Sequence, residues 1–195
     1  NVKAAGLELS ESGAAKVRSL GIDCSQGSLE AMPFADRQYD LVMANEVFEH
    51  LTDELLQKGI RELCRVADKY LLITVPNRDR LAFLRQECPR CRSKTVPWGH
   101  IRSFSPGRMG ELIPAWEAVS VREFGPGIPN AFSPLTRALY VGKWFGEPLG
   151  PNQRCPVCGF VQQGSRSILR RALTKGAFIL SPKIPRWIFA LYRRG

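Results

Sequence analysis

The sequence lacks any apolar run long enough to cross a bilayer. Its longest mainly apolar runs, such as 71–75 and 187–192, fall far short of the ~20 residues that a membrane-spanning helix needs. The residues after Asn1 also lack the basic start, apolar segment and cleavage site of a signal peptide. We therefore expect a cytoplasmic protein whose first residue is a cut end.

Prolines and glycines are scarce in the first part of the chain, and acidic residues are scarce in the second. Residues 1–77 hold 2 of the 14 prolines and 5 of the 17 glycines, and their 8 Lys+Arg and 12 Asp+Glu give a net charge of −4. Residues 78–195 carry 20 Lys+Arg and 6 Asp+Glu, net +14, so the two parts sum to the +10 of the whole chain. This break predicts a regular α/β part followed by a loop-rich basic part that favours an anionic partner or substrate.

Short apolar runs alternate with helical patterns in the first part. Ser10 and Thr52 are residue types that favour helix N-caps, and each precedes a helical pattern. The runs predict strands at 2–9, 22–27, 39–44 and 70–75, and a further helix is expected at 105–116. Strands that are apolar throughout and alternate with helices are typical of a parallel sheet covered on both faces, so we predict an α/β, Rossmann-like fold.

Ligands of open α/β sheets lie beyond the carboxyl ends of the strands. An acidic residue in that place, such as Glu8, can accept hydrogen bonds from both hydroxyls of a ribose. Taken singly, each strand-end residue is more often a turn residue or a helix cap. The residues that follow the four strands are Glu8, Gly27-Ser28-Leu29, Asn45-Glu46 and Pro76-Asn77.

The ordered set of motifs resembles the class I S-adenosylmethionine-dependent methyltransferases. The resemblance is close over residues 1–77 and looser at 116–124 and 186–194, which match the antiparallel hairpin that closes the family's sheet. The motifs are Gly-Leu-Glu-Leu-Ser-Glu at 6–11, the segment 27–34, Tyr-Asp-Leu-Val at 39–42, Glu-Val-Phe-Glu-His at 46–50, Arg-Glu-Leu-Cys-Arg-Val at 61–66 and Thr-Val-Pro-Asn at 74–77.

The resemblance implies a cofactor site for S-adenosylmethionine. Glu8 matches the family's acidic ribose ligand, Gly27, Ser28 and Leu29 match the adenine-contacting segment, and Asn45 matches the strand-end residue beside the methionine part of the cofactor. The family usually has Asp where Ser28 stands. Its first strand and Gly-rich turn, which precede the Glu8 strand, are not in this sequence, so we expect a sheet whose first strand is missing, in an N-terminally truncated domain.

The segment Glu46-x-x-Glu49-His50 can bring three polar side chains to one point if it forms a helical turn. Two carboxylates and an imidazole suit Mg²⁺, Mn²⁺ or Zn²⁺. The segment is similar to that of ubiquinone-pathway O-methyltransferases and small-RNA 2′-O-methyltransferases, where these residues hold a divalent ion that positions the substrate hydroxyl. A later histidine completes the metal site in the RNA-modifying relatives, and His100 is the candidate here.

Two other interpretations of these residues stay open. Glu-His before Leu also occurs in methyltransferases with no established metal, where His50 would be a general base or a residue behind the site. His100, in turn, is equally typical of a capped or packed loop histidine.

Four of the six cysteines form two Cys-Pro-x-Cys pairs, Cys88 with Cys91 and Cys155 with Cys158. Two such pairs can supply the four thiolates of a tetrahedral zinc site, which would staple two loops of the basic part. Disulfides are disfavoured because no secretory signal is present, and the Pro-rich surroundings do not suit a redox motif. The remaining two cysteines lie in apolar patterns and are expected to be buried and inert.

These observations predict three regions. They are a methyltransferase core at 1–125 that includes the first cysteine pair, a basic insertion at 126–185 with the second pair, and a last sheet strand at 186–195. Basic residues near the C-terminus are interleaved with aromatic ones, which favours RNA phosphate or anionic lipid headgroups as partners. The strand-like spacing of Trp187, Phe189 and Leu191 instead predicts that these three alternate inward on a sheet strand.

We therefore predict an S-adenosylmethionine-dependent O-methyltransferase that acts on a small molecule, glycan or lipid-linked hydroxyl, with zinc and Mg²⁺ as further candidate cofactors. The alternative is a non-catalytic, zinc-stabilised module that binds RNA or an anionic membrane surface. The retained Glu8, Glu46, Glu49 and His50 favour the enzyme.

Overall fold

The computed structural model describes residues 2–96, 98–139, 147–148, 152–163 and 175–195. The rest of the predicted basic insertion, at 140–146, 149–151 and 164–174, lies outside the described residues. The elements are β1 (Ala5–Glu8), α1 (Glu11–Arg18), β2 (Asp23–Gln26), β3 (Tyr39–Asn45), a 3₁₀ turn (Phe48–His50), α2 (Asp53–Val66), β4 (Ala67–Pro76), α3 (Leu81–Leu84), β5 (Gln86–Glu87), β6 (Lys94–Thr95), α4 (Pro106–Gly110), β7 (Trp116–Pro129), α5 (Pro134–Leu139), β8 (Glu147–Pro148) and β9 (Lys183–Arg194). Residues 175–180 are also helical.

The strands of the first part pair in parallel, as predicted, but among the described residues they form two separate pairs and not one continuous sheet. In one pair β1 lies beside β2, and in the other β3 lies beside β4 with Asn45 opposite Thr74. Within the described residues, β1 is hydrogen-bonded only to β2 and β3 only to β4, so each has one unpaired edge. The carboxyl ends of these strands carry the residues that the sequence indicated as ligand-facing.

The sheet that contains β3 and β4 closes with two antiparallel strands in the order β3-β4-β9-β7. This confirms the predicted closing pair, although β7 continues to Pro129 and β9 begins at Lys183, past the boundaries predicted for the insertion. The inward face of β9 differs from the prediction, because Ile188, Ala190 and Tyr192 are the fully buried residues. Both faces of this strand are apolar, so the alternation of side chains along the strand could not show which face is buried.

The core lies between α2 and the sheet. Thr52 caps α2, since its hydroxyl accepts a hydrogen bond from the Leu55 backbone N–H at 3.3 Å. The helix then presents Leu56 and Leu63 to the interior, where they share one cluster with Leu71 and Ile73 of β4. Full burial of such an aliphatic side chain contributes about 1.5–3 kcal/mol.

The helix predicted at 105–116 is much shorter than expected. Ser105 caps α4 as an N-cap serine should, but the helix ends at Gly110 and Trp116 already begins β7. Glycine is a poor helix former and Pro114 cannot continue a helix, which explains the early end. In the part of the chain that the structure describes, no helix has the length and apolarity needed to span a bilayer.

Candidate functional site

Glu8 lies at the carboxyl end of β1 and is held there by the start of α1. Its Oε1 accepts hydrogen bonds from the backbone N–H and the hydroxyl of Ser10, both at 3.1 Å. These bonds lower the pKa of Glu8, so it is a carboxylate at neutral pH. Gly13 leaves room for this side chain, because a Cβ at that position would lie 2.8 Å from Glu8 Cγ.

The segment after β2 returns the chain towards α2. The Gly27 backbone N–H donates to the Glu8 carbonyl oxygen at 3.0 Å, and Ser28 forms an isolated bridge with Ala31. Leu29 is half-buried and packs over Gly59 of α2. Glu8, Gly27 and Ser28 are therefore adjacent, whereas the Leu29 side chain is directed at the helix.

The end of β3 is tied to β4 and β9. The Asn45 amide oxygen accepts a hydrogen bond from the Thr74 hydroxyl at 3.2 Å, and the Glu46 backbone N–H donates to the Thr74 carbonyl at 2.9 Å. Glu46 adopts a φ of 54°, which is uncommon for a residue with a side chain. Its Oε2 accepts a hydrogen bond from Trp187 Nε1 at 3.0 Å. Partial burial raises the pKa of Glu46, although the Trp187 bond opposes that shift.

Glu49 is a buried carboxylic acid with no hydrogen-bond partner. Only 1% of the residue is exposed, and neither carboxylate oxygen has a hydrogen-bond partner among the described residues. Burial raises the pKa of Glu49 to about 7, and the negative charge of Glu46 adds to this effect. A buried polar atom without a partner is costly, so this arrangement calls for an explanation.

Two imidazoles lie next to Glu49. His50 Nε2 is 3.7 Å from Glu49 Oε1, and the His50 and His100 rings are in edge contact with centroids 4.9 Å apart. Burial and the neighbouring His100 lower the pKa of His50, which favours the neutral, metal-binding form of its ring. One ligand atom from each of Glu49, His50 and His100 lies within 4.8 Å of the others.

Asp79 orients His100 from behind. Its Oδ2 lies 2.6 Å from His100 Nδ1, and both side chains are nearly buried, with 13% and 12% exposed. With the proton on Nδ1, the Nε2 lone pair of His100 is available to a ligand. A carboxylate bonded to the far nitrogen of a histidine is the usual support of metal-binding histidines.

The loop that carries His100 is fastened to the segment after β3. The Ile101 backbone N–H donates to the Glu49 carbonyl at 2.9 Å. Arg102 donates from Nε to the Leu51 carbonyl at 2.9 Å and pairs with Asp53 at 2.9 Å. These contacts place His100 beside Glu49 and His50, although it lies 50 residues further along the chain.

The four cysteines of the two Cys-Pro-x-Cys pairs converge in the structure. Sγ of Cys88 is 3.7 Å from that of Cys158, Sγ of Cys91 is 3.7 Å from that of Cys155, and all four sulfurs lie within 4.8 Å of one another. A zinc ion bound tetrahedrally at a Zn–S distance of about 2.3 Å would separate its sulfurs by about 3.8 Å. The sulfurs therefore have the spacing of a zinc site and are much too far apart for disulfides.

The backbone around each pair forms a tight turn. Arg92 and Gly159, which follow the second cysteine of each pair, have φ of 59° and 71°. The Arg92 N–H donates to the Cys88 carbonyl at 2.9 Å and the Gly159 N–H to the Cys155 carbonyl at 3.0 Å. The Ser93 hydroxyl lies 3.5 Å from the Cys155 sulfur and lowers the pKa of that thiol to about 6. The thiolate form of Cys155, which is the form that binds metal, is thus favoured.

Comparison with known proteins agrees with the fold of the chain. Residues 2–70 match the family described as methyltransferase domain. A methyltransferase structure from Archaeoglobus fulgidus, described as SAM dependent, is 13% identical with a TM-score of 0.55, over 97% of this chain and 75% of that one. A second, from Methanosarcina mazei, is 9% identical with a TM-score of 0.56, over 97% and 81%. Residues 2–70 thus match a methyltransferase domain, and the chain shares the fold of S-adenosylmethionine-dependent methyltransferases.

A further structure similar to this chain comes from the complex between the Haloferax volcanii Trm112 methyltransferase activator and a methyltransferase. It is 11% identical with a TM-score of 0.51, over 97% of this chain and 70% of that one. At such identities the likeness to solved structures shows a shared fold. No curated protein matches the sequence.

Sequence reasoning found most of the polar residues at the carboxyl ends of the strands but not the residues that they contact. The structure brings His100 to Glu49 and His50, while Glu46 lies outside the 3₁₀ turn and is bonded to Trp187. The sequence analysis did not identify Asp79. The signal for it was its position, because it is an acidic residue close behind the strand-end Asn77. Trp187 was assigned to the interior because of its strand periodicity, so its bond to Glu46 was not expected.

Proposed function

We propose that this methyltransferase transfers the methyl group of S-adenosylmethionine to a hydroxyl oxygen, and that a divalent cation held by Glu49, His50 and His100 positions the acceptor. The observation that supports this most is the buried Glu49 carboxylate, whose two oxygens have no hydrogen-bond partner among the described residues while two imidazoles lie beside it. A cation would satisfy those oxygens, which otherwise remain desolvated and unpaired.

The donor atoms suit a divalent ion of the Mg²⁺, Mn²⁺ or Zn²⁺ group, because one carboxylate and two imidazoles offer both oxygen and nitrogen ligands. Asp79 would hold His100 in the tautomer that presents Nε2. A cation in this place supplies Lewis acidity, which lowers the pKa of a bound hydroxyl. The hydroxyl proton then passes to solvent, the acceptor oxygen bonds to the methyl carbon, and the carbon–sulfur bond of the donor breaks.

The residues at the end of β1 suit the ribose of S-adenosylmethionine. Glu8 remains ionised, and its carboxylate is anchored through Ser10 at the carboxyl edge of the sheet. Gly27 allows the close turn after β2, since a Cβ there would meet Leu7 Cδ1 at 2.9 Å. We propose that the Glu8 carboxylate accepts hydrogen bonds from the ribose hydroxyls. In this proposal Gly27, Ser28 and Leu29 border the adenine, and Asn45 borders the methionine part of the cofactor.

We also propose that Cys88, Cys91, Cys155 and Cys158 bind one structural zinc ion. The spacing of their sulfurs and the two turns that follow the pairs support this site. The ion would join the β5–β6 segment to residues 152–163 and stabilise a region that is too rich in turns for a core of its own.

Transfer to hydroxyl acceptors should depend on a divalent cation. The assay follows methyl-labelled S-adenosylmethionine with acceptors that bear hydroxyl, amine or thiol groups. We expect methylated hydroxyls, and at least a tenfold lower rate after chelation. A chelator can also remove zinc from the cysteine site, so a control is needed. We expect Mg²⁺ or Mn²⁺ alone to restore the rate without added zinc. Metal-independent transfer to amines would contradict the proposal.

The Glu8→Ala variant should bind S-adenosylmethionine about 10- to 100-fold more weakly, because charge-assisted hydrogen bonds are worth about 1.5–3 kcal/mol each. Isothermal titration calorimetry measures this affinity, and the melting temperature should stay near that of the parent chain. Glu11→Ala is the matched control, since Glu11 is an exposed carboxylate on α1 that pairs with Arg18. Equal affinity of Glu8→Ala and the parent chain would remove Glu8 from the site.

A further inference from the structure

A patch of exposed apolar side chains lies on two segments of the chain, at 132–135 and 178–180. Its five members, here called the apolar patch, are Phe132, Leu135, Phe178, Ile179 and Leu180, with 52%, 49%, 44%, 66% and 64% of their surfaces exposed. Single exposed apolar residues are ordinary, but several on neighbouring segments usually mark an interaction surface.

The two segments are packed against each other. The Asn130 backbone N–H donates to the Pro182 carbonyl at 2.8 Å, and Ala131 and Ala177 share a small buried cluster. Small residues thus face inward from both segments, while larger apolar side chains next to them in sequence remain at the surface. The apolar patch therefore belongs to one folded unit.

The described residues before and after the two patch segments in sequence carry charge of one sign. Residues 124–139 and 175–195 contain 6 Lys+Arg and no Asp or Glu. Two cations lie against patch rings: the Arg80 guanidinium is 5.2 Å from the ring centre of Phe132, and Lys183 Nζ is 4.6 Å from that of Phe178. Basic groups thus touch the aromatic side chains of both segments.

We propose that the apolar patch docks onto the surface of an anionic lipid bilayer. Surfaces that combine exposed apolar residues with Lys and Arg lie in the headgroup region, where burial of the apolar side chains and attraction to anionic lipids add together. Nucleic acid would satisfy the charge but would leave Ile179 and Leu180 without an apolar contact. This inference goes beyond the proposed methyl transfer, and together with it points to a hydroxyl acceptor that is displayed at a membrane, such as a lipid-linked one.

Vesicle co-sedimentation tests the docking surface. The chain is mixed with vesicles of phosphatidylcholine alone or of equal parts phosphatidylcholine and phosphatidylglycerol, at low and high salt. We expect binding to the anionic vesicles, weakened by salt. The double variant Ile179→Ser/Leu180→Ser should bind the anionic vesicles at least about tenfold more weakly than the parent chain, because it loses two inserted aliphatic side chains.

The matched control is Leu9→Ser/Leu20→Ser, which removes two leucines that are 72% and 67% exposed in the acidic first part of the chain. It should bind the anionic vesicles like the parent chain, and both double variants should keep the parent melting temperature. The proposal is overturned if the patch variant binds as well as its control, if neutral vesicles bind equally well, or if the chain binds a single-stranded RNA oligonucleotide but no vesicles. Loss of methyl transfer alone would bear on the proposed function and not on docking.

Discussion

Replacement of Cys155 by serine is expected to release zinc and to open the loops that the four cysteines join. Cys155 is buried, and its sulfur lies 3.7 Å from that of Cys91. Structural zinc binds zinc-finger peptides with an apparent free energy of about 10–16 kcal/mol, so loss of one of four ligands should remove several kcal/mol of local stability. Zinc content measured by mass spectrometry should fall well below one ion per chain.

Hydrogen exchange locates this effect. The Cys88 N–H donates to the Ser93 carbonyl and the Cys155 N–H to the Phe160 carbonyl, so both amides should lose protection in Cys155→Ser. Cys64→Ser is the control, because this half-buried thiol lies outside the cluster and should leave the zinc content unchanged. A Cys155→Ser protein with full zinc content and unchanged protection would contradict the zinc site.

The Glu49→Gln variant should lose most of its affinity for a divalent cation. Mn²⁺ binding measured by electron paramagnetic resonance should weaken by about 100-fold or more, because the only carboxylate ligand is gone. Asp79→Asn should weaken it by about 10- to 100-fold, as loss of a carboxylate behind a metal-binding histidine typically does. Glu46→Gln is the decisive control, since Glu46 is bonded to Trp187 and should leave Mn²⁺ affinity nearly unchanged. Equal losses for Glu46→Gln and Glu49→Gln would contradict this ligand set.

The pH dependence of metal-free protein gives a second readout. Burial raises the pKa of Glu49 from 4.5 to about 7. The folded state therefore binds this proton more tightly than the unfolded state, so the contribution of Glu49 to stability falls as pH rises from 4.5 through about 7. The difference in stability between the parent chain and Glu49→Gln should change in this direction over that range, and Mn²⁺ should stabilise the parent chain above pH 7. A difference between the two proteins that does not change with pH would contradict the raised pKa.

Local sequence patterns predicted the features that depend on interactions within short segments, such as helix caps and strands. Ser10 and Thr52 cap their helices because their side-chain oxygens accept bonds from the nearby backbone, and the strands of the parallel pairs follow from their apolar runs. The predicted helix at 105–116 was wrong where Gly110 and Pro114 overrode the pattern. The inward face of β9 was also wrong, because both of its faces are apolar and only the contacts with β4 and β7 select one.

The sequence by itself indicated an α/β fold of the methyltransferase type and two cysteine pairs of zinc-binding spacing, since motifs and spacings are properties of short segments. Only the tertiary structure decided which side chains meet. It separated Glu46 from Glu49 through the Trp187 bond and added Asp79 behind His100. It also joined cysteine pairs that lie 64 residues apart. Contacts of this kind depend on how segments that are far apart in the sequence pack together. A local sequence pattern describes one segment and carries no information about its packing against a distant one.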